Sequence, residues 1–260
     1  MKGPKVLFLD IETAPIIGYV WGLWDNNVAL NQIHSDWHIL SWSAKWAHEK
    51  KVMYKDQRDS KNIEKDKSLL KGIWDLLDKA DIVITQNGKK FDIKKLNARF
   101  IMNEMPPPSS YEQMDTLVIA KKHFGFTSNK LEYMSKNLNK KYTKQDHKKY
   151  PGFELWKACL AGDIKAWKEM EKYNKYDVLA LEEVFTKLSP WDKGVNYSLY
   201  TEDKSPLCRC GSTNFKKNGY KYTASGKYHR YFCLRCGHET RGRSNVFSKN
   251  SRSKLRVGTR

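Results

Sequence analysis

The stretch KVLFLDIETAP, residues 5–15, decides the fold. Its apolar residues 6–9 predict a strand that is buried on both faces, as in a parallel sheet. Asp10 and Glu12 follow at once, and side chains two apart on a strand point to the same side. At about 4 Å two like charges repel by roughly 4 kcal/mol at an effective dielectric of about 20. A cation would offset that repulsion, so the pair predicts a metal site where the strand leaves the core.

The chain is strongly basic and long enough for one main domain with a small appendage. It has 260 residues, with 48 Lys and Arg against 29 Asp and Glu and a net charge of +19. This charge favours nucleic acid as the partner, and solubility conferred by lysine is the alternative. No apolar run approaches the roughly 20 residues of a membrane span, and the N-terminal run is too short for a signal peptide. We therefore expect a cytoplasmic protein without a membrane partner.

The order of predicted elements indicates an α/β fold. The strand at 5–15 is followed by aromatic and branched segments that predict further strands, then by helical periodicity, a second buried strand and mostly helices. The predicted strands are 18–25, 37–47, 51–56 and 81–87, and the predicted helices are 66–80, 91–103, 129–139 and about 163–188. A change in composition near residue 190 predicts four parts: a domain at 1–192, a linker at 193–203, a small domain at 204–245 and a flexible basic tail at 246–260.

Two further acidic positions complete a candidate site. Asp92, in NGKKFD (87–92), lies where the strand at 81–87 gives way to a helix. Ligands of α/β sheets bind at the carboxyl ends of strands, which would bring Asp92 near Asp10; the alternative is a helix cap. Asp177 interrupts an apolar helical stripe, and Tyr173 lies one turn earlier on the same face. A buried carboxylate is costly unless it is paired or binds a metal, so Asp177 is a candidate ligand.

These motifs together resemble those of the DnaQ-like, or DEDD, family of 3′-5′ exonucleases, which have a ribonuclease H-like fold. LDIET matches the first motif at Asp10 and Glu12, and NGKKFD matches the second from Asn87 to Asp92. Tyr173, four residues before Asp177, matches the tyrosine branch, because the histidine of the other branch would fall on Lys172. The resemblance spans residues 5–188. It is strongest to the proofreading domain of family B DNA polymerases and to stand-alone relatives, many of them from bacteriophages, which would place the protein in a host cytoplasm.

The resemblance implies a ribonuclease H-like mixed sheet flanked by helices and a two-metal-ion mechanism. Two Mg²⁺ or Mn²⁺ ions would activate a water and stabilise the leaving oxygen. Asp10, Glu12 and Asp177 would hold the ion near the attacking water, Asp10 would bridge to the second ion, and Asp92 would support that ion through water. Tyr173 would orient the water, and the product would be a 5′-mononucleotide. Further substrate contacts are expected from Thr13, Asn87 and Phe91.

Four of the five cysteines cluster near the C-terminal end, where Cys208 and Cys210 are separated from Cys233 and Cys236 by 22 residues. Four thiolates in two knuckles suit one tetrahedral Zn²⁺. The segment resembles the zinc ribbons of transposases and other DNA-handling proteins, although its first knuckle is CxC in place of CxxC. His238 or His229 could therefore replace one sulfur. The leftover Cys159 is predicted to be a small buried hydrophobe.

The cysteine-rich segment also carries much of the charge. Residues 201–260 hold 15 Lys and Arg against three Asp and Glu, and aromatic residues alternate with Lys217, Lys221 and Arg230. Cations interleaved with aromatic rings are typical of single-stranded nucleic-acid binding, although some of the rings must cover the small core. We expect the ribbon to aid binding of the substrate.

The sequence thus predicts a 3′-5′ exonuclease that degrades single-stranded or terminal DNA. Replication or recombination proteins are conceivable partners. An RNA exonuclease, a structure-specific endonuclease and a non-catalytic zinc-ribbon protein on a nuclease scaffold are the alternatives. The intact acidic set argues against the last of these.

Overall fold

The structure is a computed structural model that describes residues 3–143, 149–202 and 204–257. The chain divides into two compact units, one of Lys5–Phe185 and the other of Thr186–Arg260 together with Met1–Pro4. Part of the predicted basic loop at 140–152 lies outside the described residues. No helix in the described ranges is long and apolar enough to cross a bilayer.

The first unit is built on a mixed five-stranded sheet. The strands of this sheet are β1 (Val6–Thr13), β4 (Ile39–Trp46), β5 (Met53–Asp56), β6 (Ile82–Thr85) and β7 (Glu112–Asp115). Two short strands between β1 and β4, β2 (Ile17–Gly18) and β3 (Ile33–Ser35), pair with each other outside the main sheet. The main sheet has the order β5-β4-β1-β6-β7. β1 pairs with β4 in antiparallel fashion and with β6 in parallel, so the polar end of β1 lies at the centre of the sheet.

Six helices accompany this sheet. They are α1 (Lys67–Leu77), α2 (Asp92–Met102), α3 (Thr116–His123), α4 (Leu131–Leu138), α5 (Glu154–Leu160) and α6 (Ile164–Leu188), the last of which continues past the boundary between the units. The predicted helices at 66–80, 91–103, 129–139 and 163–188 are confirmed. Asp163 accepts a hydrogen bond from the N–H of Lys165 at 2.7 Å and so caps the start of α6, as predicted.

The two faces of β1 pack against different helices. Leu7, Leu9 and Ile11 belong to one core cluster with residues of α1 and α2. Phe8 faces the other way and meets Phe185 of α6 edge to face, with ring centroids 5.8 Å apart. Because side chains alternate along a strand, Asp10 and Glu12 lie on the same face as Phe8, which is the face covered by α6. Burial on both faces, predicted for residues 6–9, is confirmed.

The segment after β1 differs from expectation. Aromatic and branched residues at 18–25 predict a strand, but only Gly18 of that stretch is in one, paired with Ile33. Trp21 and Trp24 are exposed to solvent by 101% and 86%, so no sheet covers them. A strand needs a pairing partner and a covered face, and strand propensity alone supplies neither. Cys159 is fully buried, as predicted.

The second unit contains a three-stranded antiparallel sheet in the order β10-β9-β8, formed by β8 (Phe215–Thr223), β9 (Gly226–Cys233) and β10 (Glu239–Asn245). The short helix α7 (Lys249–Ser253) lies in the segment predicted to be a flexible tail. The segment predicted to be a linker includes a turn of 3-10 helix at Tyr197–Tyr200, in which Tyr197 is buried. The sheet and its cysteines are compatible with the predicted zinc ribbon.

Candidate functional site

Three carboxylates meet where β1 ends beneath α6. Asp10, Glu12 and Asp177 each offer an oxygen, and these oxygens all lie within 4.8 Å of one another. Two of them come from alternate positions of one strand and the third from a helix 165 residues further along the chain. Asp177 is only 2% exposed, while the other two are partly buried. The convergence expected from the spacing of Asp10, Glu12 and Asp177 is therefore present.

Asn174 fixes the carboxylate of Asp10. Its side-chain amide Nδ2 donates to Asp10 Oδ2 at 2.5 Å, and its Oδ1 accepts from the hydroxyl of Ser41 at 3.2 Å. Asn174 is fully buried and lies three residues before Asp177 on α6, so both side chains emerge on the same side of the helix. The amide thus ties α6 to β1 and β4 at the site.

Glu12 is held by a different residue. The indole Nε1 of Trp156, on α5, donates to Glu12 Oε2 at 3.1 Å. The Trp156 ring also meets the ring of Tyr173 edge to face, with centroids 6.1 Å apart and an interplanar angle of 79°. Tyr173 is buried in the second core cluster beside Trp167 and Met170. The tyrosine predicted to orient water thus packs against the residue that positions Glu12.

Asp92 lies close to this group but is not one of its three members. It is the first residue of α2 and is buried, and its Oδ1 accepts the backbone N–H of Ile11 at 3.1 Å, between Asp10 and Glu12. Burial raises the pKa of the Asp92 carboxyl to about 7, and hydrogen bonds from backbone N–H groups only partly oppose this rise. The predicted link between Asp92 and the other acids therefore runs through the backbone of β1.

The turn at residues 87–90 is organised by an acid that sequence reasoning missed. Asp115, at the end of β7, accepts the backbone N–H groups of Asn87 at 2.8 Å and Lys89 at 3.2 Å, and it also caps α3 through Leu117. Asn87 has a φ of +65°, a left-handed conformation that asparagine tolerates better than most residues. The hydrogen bonds to Asp115 hold Asn87 in this position.

A groove of about 580 Å³ opens over the carboxylates. Asp10 and Asp177 line it together with Asn87, Lys121 and Lys130. A second groove of about 450 Å³ shares Asn87, Leu117 and Lys121 with the first, and it adds the exposed Lys89, Lys90 and Lys122. The first groove contains the acids, and the second groove adds lysines beside it. This arrangement suits a polyanion that lies along the lysines and places one phosphate next to cations bound by the acids.

Two predicted substrate contacts lie outside the lining of either groove. Phe91 is 38% exposed and precedes α2, with the ammonium of Lys95 6.0 Å from its ring centroid. Thr13 is the last residue of β1 and pairs with Ile39 across an irregularity of the strand. Only Asn87 of the three residues Thr13, Asn87 and Phe91 lines the groove with Asp10 and Asp177.

The four predicted cysteines gather in the second unit. The sulfurs of Cys208, Cys210, Cys233 and Cys236 lie within 4.8 Å of one another, with 3.4 Å between Cys208 and Cys236 and 3.6 Å between Cys210 and Cys233. Sulfurs bound tetrahedrally at about 2.3 Å from one zinc would be roughly 3.8 Å apart. The CxC knuckle therefore brings both of its sulfurs to the group.

Backbone turns support both knuckles. Gly211 and Gly237 have φ values of +76° and +80°, and their N–H groups donate to the carbonyls of Cys208 and Cys233. Burial opposes ionisation of Cys233, but N–H groups of Cys236 and Arg235 lower the pKa of the Cys233 thiol to about 7. His238 and His229 are not in the group: His238 Nδ1 lies 3.0 Å from the carbonyl of Pro190, and His229 packs on Tyr220.

The ribbon residues predicted to bind substrate lie on two faces of the three-stranded sheet. Lys217 pairs with Tyr231, whereas Lys221 pairs with Tyr228 and Arg230 pairs with Arg241. Paired residues share a face and neighbours along a strand do not. Lys217 is therefore on the face opposite Lys221 and Arg230.

Both clusters fit metal ions in the chemistry of their donors. Three carboxylate oxygens suit a hard cation such as Mg²⁺ or Mn²⁺, and four thiolates suit Zn²⁺. The acidic cluster and the cysteine cluster could thus each bind metal.

Two residues that contact the carboxylates escaped sequence reasoning. Asn174 has a usable signal, because a polar residue three positions before Asp177 must face the same interior. Trp156 has no such signal in the sequence, because it lies 144 residues from Glu12 and no pattern of spacing links the two residues.

Comparison with known proteins addresses the fold. None of the curated proteins matches this chain. Among solved structures, the family B DNA polymerase from the hyperthermophilic archaeon Pyrobaculum calidifontis is similar, with a TM-score of 0.51 and 14% identity over 72% of this chain and 25% of the polymerase chain. The chain thus matches a quarter of that polymerase, and the similarity is one of fold.

A family model described as RNase_H superfamily matches residues 7–189. The predicted ribonuclease H-like fold and the predicted likeness to a family B DNA polymerase are confirmed. Because the family model covers most of the chain, this protein belongs to the RNase H superfamily and has its nuclease fold.

Proposed function

We propose that the protein is a metal-dependent 3′-5′ exonuclease that hydrolyses single-stranded or terminal DNA to 5′-mononucleotides. The observation that carries this proposal is the convergence of Asp10, Glu12 and Asp177 at a groove with a basic continuation. Three such acids in one place repel one another in an apoprotein, and bound cations would offset that repulsion. The likeness in fold to a DNA polymerase favours DNA over RNA.

Asp10, Glu12 and Asp177 would hold Mg²⁺ or Mn²⁺, with Asp92 supporting a second ion through water. When bound, such ions lower the pKa of a water and stabilise the leaving oxygen of a phosphodiester. Asn174 keeps Asp10 in its ligating orientation, and Trp156 does the same for Glu12. Tyr173 would orient the attacking water, and Asn87 would contact the strand at the rim of the groove.

Lysines beside the groove would place the strand. Lys121 lines both grooves and Lys130 lines the one that contains Asp10 and Asp177. Their charges attract phosphates toward a site that would otherwise repel them. We further propose that Cys208, Cys210, Cys233 and Cys236 bind one structural Zn²⁺, and that the ribbon aids nucleic-acid binding.

Digestion of end-labelled oligonucleotides tests the proposal. Single-stranded DNA and RNA of the same sequence, labelled at the 3′ or the 5′ end, are incubated with the full chain in the presence or absence of Mg²⁺ or Mn²⁺. We expect 5′-mononucleotides to be released successively from the 3′ end of DNA only when the cation is present. Omitting the cation is preferable to a chelator, because a chelator would also remove metal from the cysteines.

Carboxylate variants complete the test. Asp10→Asn and Asp177→Asn should abolish digestion while the variants stay folded, because each loses an ionic ligand but keeps its shape. Asp59→Asn, which changes an exposed acid away from the site, is the matched control and should retain full activity. Internal cleavage would contradict exonuclease action, and unchanged digestion by both site variants would overturn the assignment of the carboxylates.

A further inference from the structure

The ribbon sheet has two chemically different faces. One carries Tyr220, Tyr222 and His229, and the ammonium of Lys227 lies 3.9 Å from the Tyr220 ring centroid. The opposite face carries Lys221, Arg230 and Arg241, which the strand register places side by side. On the first face, which also carries Lys217, the Lys227 ammonium is placed over an aromatic ring. The second face, here called the cationic face, brings three cations around the ring of Tyr228.

The cationic face is one wall of a cavity of about 630 Å³ within the second unit. The segment before the first knuckle also lines this cavity, including Lys193, Asn196 and Tyr197, as does the knuckle residue Arg209. Arg209 is only 7% exposed, and its Nη1 donates to the carbonyl of Ser189 at 2.8 Å. The cavity lining therefore combines a buried guanidinium, Arg209, with cations of the sheet that include Arg241, whose guanidinium lies 4.1 Å from the Tyr228 ring centroid.

The charges around this cavity are poorly neutralised. Its lining includes the cations Lys193, Arg209, Lys221, Arg230 and Arg241 but a single carboxylate, Glu239. Glu239 lies 3.6 Å from Arg230 Nε. Asp192 and any zinc thiolate group would offset Arg209, which is next to Cys208. Within the described ranges Lys193, Lys221 and Arg241 have no ion pair, so at least three cations remain without a counter-charge.

Positive charges that converge without partners are costly to the folded protein unless an anion joins them. Arginine presents a planar fork that matches two phosphate oxygens, and lysine adds a point charge. Thr223, Thr240 and Tyr197 also line the cavity. The side chains around the cavity therefore suit phosphate better than a carboxylate-bearing apolar ligand.

We propose that this cavity binds the phosphate backbone of a nucleic-acid strand, with Lys193, Lys221, Arg230 and Arg241 as phosphate contacts. A backbone, and not a free nucleotide, is the occupant because the cations are spread over three strands and the segment before the first knuckle, and Tyr197, the tyrosine in the lining, is buried. The inference rests on the proposed role of the ribbon in nucleic-acid binding and not on the proposed hydrolysis. The cations of the ribbon are therefore not equivalent: Lys221, Arg230 and Arg241 contact the strand in this proposal, whereas Lys217, on the opposite face, does not.

A binding titration tests this inference. Affinity of the full chain for a fluorescent single-stranded oligonucleotide is measured by anisotropy at several salt concentrations without Mg²⁺, so that no cleavage occurs. A plot of log K against log salt has a negative slope, and each lost phosphate contact should decrease the magnitude of that slope by about 0.7 for a single strand. The double variant Lys193→Ala, Arg241→Ala should therefore decrease the magnitude of this negative slope by about 1.4 and weaken binding roughly tenfold at low salt.

The matched control is Lys50→Ala, Lys51→Ala, which removes the same charge from exposed positions of the first unit. It should change neither the slope nor the affinity beyond the small effect of net charge. Zinc content and melting temperature verify that each variant is folded, which is expected because both mutated side chains are exposed.

A 5′-mononucleotide and inorganic phosphate are titrated in parallel. If the double variant binds the oligonucleotide with the slope of the control, the inference is overturned. It is likewise overturned if the variant loses mononucleotide binding while its oligonucleotide binding is unchanged, since the cavity would then hold free nucleotides. Because Mg²⁺ is absent, failure of the exonuclease proposal leaves this result intact.

Discussion

The acidic cluster and the cysteine cluster are both candidate metal sites, yet they are built in opposite ways. Asp10, Glu12 and Asp177 are brought together by a large core, to which β1, β4, α1, α2, α5 and α6 contribute buried side chains. The four cysteines lie within 29 residues of one another, in a unit whose buried apolar side chains in the described residues are only Leu188, Tyr197, Cys208 and Cys233. The core holds the acids in place, whereas the cysteines are a substantial part of their own core.

This difference implies that the two metals relate differently to folding. The acidic cluster should persist without its ions, because the repulsion among its carboxylates is small compared with the free energy that apolar burial contributes to the first unit. The cysteine cluster should not persist, because a small unit without enough apolar burial depends on its metal. Four predictions test this contrast, beginning with the largest expected effect.

Removal of metal from the cysteines should unfold the second unit and leave Lys5–Phe185 folded. Structural zinc contributes roughly 10–16 kcal/mol in zinc-finger peptides, more than a unit of this size could supply by burial. Hydrogen exchange followed by mass spectrometry checks this: amides of β8, β9 and β10 should exchange rapidly in a chelator while those of β1 and β4 remain protected.

Cys233→Ser should reproduce the effect of the chelator, because one of the four ligands is lost. Cys159→Ala is the control, since Cys159 is buried in the first unit and is not in the cluster. Full protection of β8 to β10 after complete metal removal would show that the second unit does not depend on metal.

Asn174→Ala should impair the acidic cluster without unfolding its unit. Loss of the amide releases Asp10 and leaves Ser41 without its acceptor, so cleavage should fall roughly 10–100-fold and half-maximal activity should need more Mg²⁺. Cleavage rates across a Mg²⁺ titration check this. Asn137→Ala, at an exposed asparagine of α4, is the matched control; equal rates for the two variants would remove Asn174 from the site.

Trp156→Phe should have a smaller effect of the same kind. Phenylalanine keeps an aromatic ring to pack on Tyr173 but lacks the N–H that donates to Glu12. The loss of one ordinary hydrogen bond, about 0.7–1.4 kcal/mol, corresponds to roughly three- to tenfold in rate. The control is Trp74→Phe, because the Trp74 indole donates to the carbonyl of Pro106 away from the site. A loss as large as that of Asn174→Ala would contradict this ranking.

The smallest effect is expected from His38 in mildly acidic solution. Burial lowers the pKa of His38 in the folded protein, and a hydrogen bond with the carbonyl of Asp36 only partly opposes it. The unfolded state then binds more protons at this residue, so His38 should lower stability as the pH drops below about 6.5, by at most about 1.4 kcal/mol per pH unit. Asp92, whose pKa is raised to about 7 in the folded protein, should raise stability over the same range.

The full chain is unfolded with urea at several pH values between 5 and 7.5, and exchange of core amides in Lys5–Phe185 reports the free energy of unfolding of the first unit. The change of this free energy with pH measures the effect of His38. His38→Gln should remove the His38 contribution, so that the first unit loses less stability on acidification than in the unmodified protein. Metal loss from protonated thiolates would still destabilise the second unit in both proteins. An unchanged slope in the variant would exclude His38 as the cause.

Sequence reasoning was most accurate where a pattern is local. The buried strand at β1, the helices α1, α2, α4 and α6 and the pairing of Asp10 with Glu12 follow from periodicities of two and of about 3.6 residues. It failed at 18–25, where aromatic content predicted a strand that has no partner, and it missed α5, β7 and the contacts of Trp156 and Asp115. These features depend on residues distant in the chain.

The sequence by itself determined that carboxylates and thiolates would be available in separate groups, because residue type and spacing along one strand, helix or knuckle are local properties. Only the tertiary structure decided which groups meet: that Asn174 holds Asp10, that Asp92 binds the backbone of β1, and that Lys217 and Lys221 lie on opposite faces. The reason is physical. Contacts between distant segments depend on how the sheet and helices pack, and packing is fixed by the burial of the whole core and not by any one motif.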